Sequence, residues 1–105
     1  MTKIINRETK EAIIEDKNLS IKELVEKAVK EKISLEYADL RSVDLNNSNL
    51  GFADLYEADL RNANLRDCNL RGADLDGCKF HKDQLKDLLK GLKIKVMKKK
   101  ENDNT

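Results

Sequence analysis

The sequence has few of the residues from which disulfide scaffolds, membrane spans and metal or catalytic sites are built. It contains one histidine, two cysteines and no tryptophan among 105 residues. No apolar run approaches the roughly 18 residues that a membrane span requires, so we expect neither a signal peptide nor a transmembrane helix. Two cysteines are too few for a disulfide framework. A cytoplasmic protein is therefore the expectation.

Charge and length restrict the function further. Lys and Arg number 21, Asp and Glu number 20, and the formal net charge is +1, so no strong overall field would attract nucleic acid or a membrane. A chain of this size forms one small domain without a large cleft. Because His81 is the only histidine, a His pair or a Ser-His-acid arrangement has no second base. The sequence indicates a protein that is not an enzyme and has no cofactor.

Leucine returns every five residues through the middle of the chain, an interval typical of neither a helix nor a strand. The central positions are Leu35, Leu40, Leu45, Leu50, Leu55, Leu60, Leu65, Leu70, Leu75 and Phe80. A small or slim side chain stands two residues before each of them, and the residue between is Asp or Asn in eight of the ten units. Three consecutive outward residues per unit require a corner, so the pattern predicts a polygonal coil.

The recurring tripeptides ADL and ANL resemble the pentapeptide-repeat family. They stand at 38–40, 53–55, 58–60, 63–65 and 73–75. The resemblance covers about 33–82 and implies a mainly β fold, a right-handed quadrilateral β-helix of about two and a half coils in which residues twenty apart lie above one another. Leucines and Phe80 would fill its centre, each leucine contributing roughly 1.5–3 kcal/mol by burial.

Residues 1–32 are expected to cap the first coil, because an open end of a solenoid exposes apolar surface and unpaired backbone groups. The stretches KIINR and EAIIED predict a β-hairpin. A helix over about 21–32 follows, beginning at a capping box formed by Ser20 and Glu23.

Residues 83–97 are expected to cap the other end with a helix and a short strand, and 98–105 to form a disordered tail. The strand would alternate through Leu92, Ile94 and Val96. The helix carries an apolar stripe of Leu85, Leu88, Leu89 and Leu92. This stripe can cover its own coil or meet a second copy in a weak homodimer, and we expect both.

Two features of the repeats suggest metal binding but have a simpler interpretation. Cys68, Cys78 and His81 could be ligands, yet both cysteines occupy the small buried position and their spacing matches no usual zinc site. The Asp and Asn residues could hold calcium, yet beside corners they are expected to bond the local backbone. No metal site is predicted.

One side of the predicted coil, centred on Leu55, collects acidic residues and both tyrosines. We predict that it binds a partner through Glu36, Tyr37, Asp54, Tyr56, Glu57, Asp74 and Asp76. Within the repeats this side carries five acids and no base. Alternatively, the charges only keep the coil soluble. A belt of arginines that includes Arg66 and Arg71 is the other candidate surface for contact with a partner.

The resemblance to small bacterial and phage members of the family implies a module that docks on or blocks a protein. The coil is too short and too weakly acidic to mimic a whole DNA duplex. We expect a partner with a basic surface, such as a nucleic-acid-binding protein. In the most specific interpretation, the protein itself is a phage-encoded inhibitor of anti-CRISPR or anti-restriction type that acts in the bacterial or host cytoplasm. Direct nucleic-acid or membrane binding is not expected. The alternative is a structural subunit that forms a homodimer through its C-terminal helix.

Overall fold

The computed structural model describes residues 1–94, which contain two strands and two α-helices joined by a long stretch of turns. The elements are β1 (Thr2–Ile5), β2 (Ala12–Asp16), α1 (Ile21–Lys30), a 3₁₀ helix (Lys82–Gln84) and α2 (Leu85–Gly91). No helix in this part of the chain is long and apolar enough to cross a membrane. The predicted tail at 98–105 lies outside the described residues.

The stretch between α1 and the 3₁₀ helix winds so that residues twenty positions apart lie side by side. Isolated parallel bridges join Asp39 to Asp59, Asp44 to Asn64, Asn49 to Asn69, Asp54 to Asp74 and Asp59 to Lys79. Backbone hydrogen bonds follow the same spacing. The N–H of Leu35 donates to the carbonyl of Asp54 at 2.8 Å, and that of Leu55 to the carbonyl of Asp74 at 2.9 Å. The repeats thus have a β-helix type of fold, in which each turn of the chain pairs with the next.

Each unit ends in a tight corner. The carbonyl of Leu55 accepts a hydrogen bond from the N–H of Ala58 at 2.9 Å, and Glu57 between them has a φ of 56°. A positive φ recurs at every corner: Tyr37, Ser42, Asn47, Phe52, Glu57, Asn62, Asp67, Gly72 and Gly77. Because side chains other than glycine rarely adopt this conformation, the closure of the coil must impose it.

The Asp or Asn of each unit fixes the corner that follows it. Its Oδ1 accepts a hydrogen bond from the backbone N–H two residues later, as between Asp74 and Asp76 at 3.0 Å. All eight of these residues make the bond. This side-chain turn stabilises the local bend. The predicted bonding to local backbone is confirmed.

The interior is filled by the central leucines, which are buried from Leu35 to Leu70. Leu75 is only partly buried, and the ring of Phe80 is 41% exposed. The prediction that Phe80 fills the centre of a coil is therefore wrong. The chain turns into the 3₁₀ helix directly after it, so no further layer within residues 1–94 covers this side.

The N-terminal elements lie on the first coil. β1 and β2 pair as an antiparallel hairpin, and the chain after β1 continues the pairing through an antiparallel bridge between Asn6 and Ala38. Helix α1 begins at the capping box of Ser20 and Glu23 and buries Leu24, Val25 and Ala28. Together they cover apolar side chains and backbone groups that the first coil would otherwise expose.

Helix α2 and the 3₁₀ helix lie against the opposite end. The buried Nε2 of Gln84 donates to the carbonyls of Leu60 at 2.7 Å and Ala63 at 3.0 Å. The carbonyl of Gly91 accepts from the N–H of Leu70 at 2.9 Å. A Cβ on Gly91 would lie 2.6 Å from a backbone oxygen of the coil, so only glycine permits this approach. These contacts replace the pairing that another coil would supply.

The leucine stripe of α2 is divided between coil and solvent. Leu88 is buried, Leu89 and Leu92 are half-buried, and Leu85 is 42% exposed. Residues 92–93 form a turn, so the described part of the predicted strand is not a strand, and Val96 lies outside the described residues.

Replacing Leu60 by alanine tests the leucine core. Leu60 is fully buried, so Leu60→Ala should lower the free energy of unfolding in urea by roughly 2–5 kcal/mol, because it removes buried methyl groups and leaves a cavity. The matched control is Asn62→Gly, at an exposed corner with a φ of 63° that glycine adopts freely. Equal losses for the two variants would contradict the assignment of Leu60 to the core.

Replacing Gln84 tests the closure of the C-terminal end. Gln84→Leu keeps much of the side-chain volume but leaves the carbonyl of Ala63 without a donor and that of Leu60 with only the corner bond from the N–H of Ala63, and it should cost about 1–3 kcal/mol. Lys86→Ala, on the exposed face of α2, is the control and should cost little. An unchanged thermal midpoint for Gln84→Leu would show that these hydrogen bonds do not hold the end closed.

Candidate partner-binding face

The residues proposed for partner binding come together on one side of the coil, here called the acidic face. It consists of Glu36, Tyr37, Asp54, Tyr56, Glu57, Asp74 and Asp76. Backbone pairing sets their positions: the N–H of Tyr37 donates to the carbonyl of Tyr56, and that of Glu57 to the carbonyl of Asp76, both at 2.8 Å. Three successive layers of the coil therefore contribute to one continuous surface.

An aromatic pair occupies the middle of this face. The rings of Tyr37 and Tyr56 meet edge to face, with centroids 5.9 Å apart and planes at 87°. This is a favoured aromatic geometry. Both side chains are half-buried, so they supply apolar contact area within a charged surface.

The hairpin adds a base to the acidic face. Nε and Nη2 of Arg7 donate to the carbonyl of Glu57 at 3.1 and 2.6 Å, and Nη2 lies 3.5 Å from Oε2 of Glu57. The Cζ atom of Arg7 also lies 5.3 Å from the ring centroid of Tyr37, a cation–π contact. The repeats alone give a face with no base. Arg7 is fifty residues from Glu57 in sequence, and no motif in the hairpin indicates this contact.

Four of the five carboxylates of the face form no ion pair within residues 1–94; one of them, Asp54, is half-buried and accepts a hydrogen bond from Oγ of Ser34 at 2.7 Å. Glu36, Asp74 and Asp76 are exposed and form no ion pair with any residue in 1–94. The nearby Tyr37 phenol, followed by the charge of Glu57, raises the pKa of Tyr56, and Asp76 and Glu36 add to the effect. The face therefore combines an aromatic centre with excess negative charge.

On the neighbouring side of the coil, two arginines are paired with aspartates. Asp59 is buried and accepts from Nε and Nη2 of Arg61 at 2.9 and 2.6 Å. Asp39 and Arg41 form the same fork one layer above, with both bonds at 2.9 Å. Hydrogen bonds from the guanidinium groups hold the pKa of each carboxyl below its usual value. These arginines stabilise the coil and present little free positive charge.

Both cysteines occupy the small position beside the leucine core. Cys68 is buried, with Sγ 3.3 Å from Oγ of Ser48, and Cys78 is half-buried, its thiol donating to the carbonyl of Leu55 at 2.9 Å. Burial raises the pKa of both thiols, that of Cys78 to about 11. Within residues 1–94 no cluster of three or more His, Cys, Asp or Glu side chains is placed to hold a metal ion.

The stacked units, the regular corners and the covered ends together define a repeat protein of the β-helix type. The family model for pentapeptide repeats matches residues 32–62 and 53–82, with eight copies. The chain belongs to the pentapeptide-repeat family. No match was found among curated proteins or among solved structures.

Alkylation tests the environment of the thiols. Since iodoacetamide reacts with the thiolate, and a pKa of about 11 leaves only ~0.1% of Cys78 ionised at pH 8, native protein should react slowly at both cysteines and unfolded protein fast. Labelling of Cys78 should rise about tenfold per pH unit between pH 8 and 10. Peptide mass spectrometry separates the two sites.

Chelator treatment, together with the labelling, tests whether the cysteines bind a metal. A chelator should leave the thermal midpoint unchanged, because the sequence predicts no metal site and a fold that needs no metal is not destabilised by chelation. Rapid native labelling at pH 8, or destabilisation by the chelator, would contradict the placement of the cysteines as buried, metal-free side chains.

Proposed function

We propose that the protein is a non-catalytic binding module that docks its acidic face on the basic surface of a partner protein. The observation that carries the proposal is the set of exposed carboxylates of Glu36, Asp74 and Asp76, which form no ion pair within residues 1–94 and share one face with the half-buried ring of Tyr56. Like charges on one surface repel one another, and a basic partner would make their arrangement favourable. Membership of a family that generally mediates protein interactions supports the same conclusion.

The proposal takes the coil to be right-handed and four-sided, with about two and a half turns. The twenty-residue spacing of the bridges supports four units of five residues per turn. With layers roughly 4.8 Å apart, Glu36, Tyr56 and Asp76 form a column across the face. Such a column of charge imitates a short stretch of phosphates, whereas Tyr56 supplies the apolar anchor that interfaces commonly require.

In its most specific form, the function is inhibition of nucleic-acid-directed machinery by a phage-encoded protein. A groove that binds nucleic acid is lined with Lys and Arg to neutralise phosphates, and it would accept a column of carboxylates in their place. A CRISPR complex or a restriction enzyme is a partner of this chemistry. The cytoplasm of the bacterial host is where these partners act.

Self-association through α2 is the second candidate function. Leu85 at 42% and Phe80 at 41% exposure leave apolar surface at the C-terminal end of the coil. A homodimer about a two-fold axis would bury this surface in both copies. Light scattering at high concentration separates the two candidates: a dimer that Leu85→Gln dissociates supports self-association, and a strict monomer removes it.

Reversing charge on the acidic face tests the main proposal. Glu36→Lys combined with Asp76→Lys should abolish binding of a labelled ten-residue oligolysine peptide, which serves as a minimal basic partner. Wild-type binding should weaken as salt rises, since screening reduces attraction between exposed charges. The matched control, Glu11→Lys with Glu15→Lys, changes the net charge equally on exposed positions of the hairpin. Equal losses from the two pairs would show a non-specific charge effect and contradict the proposal.

The phage-inhibitor form has its own test. Expression of the wild-type protein in bacteria with an active CRISPR or restriction system should raise the transformation efficiency of a targeted plasmid, whereas the Glu36→Lys, Asp76→Lys variant should not. An unchanged transformation efficiency with both types of system would contradict inhibition of this machinery. The docking proposal would then be judged by the peptide experiment alone.

A further inference from the structure

A cavity lined mainly by charged residues lies between the hairpin and the coil. Its volume is about 300 Å³. Among the residues that line it, five are basic and two are acidic: Arg7, Lys10, Arg41, Arg61 and Lys79, against Asp39 and Asp59. They come from the hairpin and from three successive layers of the coil. The lining therefore carries an excess of positive charge, although the whole chain is nearly neutral.

Ion pairs within the protein do not remove this excess. Both carboxylates of the lining are held in the forks with arginine described above. Arg7 pairs with Glu8 at 3.0 Å and with Glu57 at 3.5 Å. Lys10 and Lys79 are exposed and form no ion pair with any residue in 1–94. Two ammonium groups among the lining residues thus lack a counter-charge within this part of the chain.

The repeat pattern does not explain the lysine at position 79. A parallel bridge places Lys79 beside Asp59, in the position that carries Asp or Asn in eight of the ten units. Those residues stabilise the following corner by accepting a backbone hydrogen bond, which an ammonium group cannot do. The N–H two residues later, that of His81, donates instead to Oε1 of Gln84 at 2.7 Å. Lys79 therefore contributes nothing to a corner, whereas it adds a cation to the lining.

The lining also offers donors for an anion with several oxygen atoms. Arg41 and Arg61 use Nε and Nη2 on their aspartates, and Nη1 of neither donates a hydrogen bond within residues 1–94. Their side chains are 57% and 40% exposed, so a ligand can reach them. Nζ of Lys10 donates to the carbonyl of Arg7 at 2.7 Å, which leaves two of the three donors of an ammonium group. Guanidinium and ammonium groups are the usual partners of phosphate in proteins.

We infer that this cavity is a binding site for a small dianion of the phosphate type, either free phosphate or the phosphate group of a small ester. A tetrahedral phosphate accepts hydrogen bonds from several directions, here from the hairpin and from stacked layers, whereas a carboxylate has two oxygens in one plane. A phosphate ester carries a charge of about −1.5 to −2 at pH 7, which two unpaired lysines would balance. The site differs from the acidic face in position and charge, and it does not depend on the proposed docking function.

The decisive variant is Lys10→Asn combined with Lys79→Asn. Asparagine occurs in other units at the position of Lys79, and it adopts the φ of Lys10, 68°, more readily than lysine does. The thermal midpoint without phosphate should therefore stay close to that of the wild type. Lys10→Gln with Lys79→Gln, which retains more of the side-chain length, is a second pair with the same expectation. A clear loss of stability in both pairs would assign the lysines to the fold and overturn the inference.

Binding is followed through backbone amide chemical shifts during a titration with inorganic phosphate, at an ionic strength held constant with sodium chloride. The amides of Arg41, Arg61 and Lys79 should shift and reach saturation. Affinity should fall by about tenfold or more in both lysine pairs, because charge-assisted hydrogen bonds are lost. The matched control, Lys17→Asn with Lys86→Asn, removes two exposed lysines outside the lining. Its affinity should stay within about twofold of the wild type, since charges far from the ligand are screened.

Two further probes define the class of ligand. Acetate, with one charge and two oxygens, should bind more weakly than phosphate. Adenosine monophosphate separates the two sources of phosphate: tighter binding than inorganic phosphate assigns the cavity to a phosphate ester, and weaker binding assigns it to free phosphate.

Three results would overturn the inference. One is that sodium chloride alone produces the same shifts, which would reduce the effect to screening. Another is a phosphate affinity that is unchanged in both lysine pairs or equally reduced in the control. The third is acetate binding as tight as that of phosphate, which would make the cavity a general contact for carboxylates.

Discussion

The hydrogen bond that joins one turn of the coil to the next is the interaction on which the rest of the structure depends. It recurs along the chain, for example from the N–H of Leu50 to the carbonyl of Asn69 at 2.8 Å. Asparagine side chains add a second ladder, such as Asn69 to Asn49 at 3.1 Å. This pairing holds the leucines in the interior, and it leaves two open ends that the hairpin with α1 and the 3₁₀ helix with α2 must cover.

The inward side chains are occupied in packing the core, and the backbone is occupied in pairing the coils. The outward side chains are therefore the ones available for contacts with a partner. Residues twenty apart form columns, so a substitution in one layer acts together with its neighbours above and below. The same geometry produces a neutral column of Asp–Arg forks, the uncompensated acidic face, and a corner at which Phe52 is presented to solvent. The proposed basic partner follows from the composition of the acidic face.

The five-residue period predicted the repeats, the leucine interior and the local bonds of Asp and Asn, since each depends on residues close in sequence. It did not predict the contacts made by the ends. Arg7 reaches Glu57, and Gln84 reaches Leu60, only because the caps fold back over distant units. Phe80 fits the repeat pattern but lies exposed, because a periodic pattern does not show where the last covered layer ends. The roles of the acidic face and of α2 in binding remain predictions.

Disulfide cross-linking tests the stacking most directly. With Cys68→Ser and Cys78→Ser as background, Asn46→Cys and Arg66→Cys place thiols on neighbouring layers, where a separation of roughly 4.8 Å between backbones lies within the range of a disulfide. Asn46→Cys with Arg71→Cys, on neighbouring sides of the coil, is the control. Stacking predicts rapid intramolecular oxidation of the first pair and little of the second. Faster oxidation of the second pair, or equal oxidation of both, would contradict a twenty-residue coil.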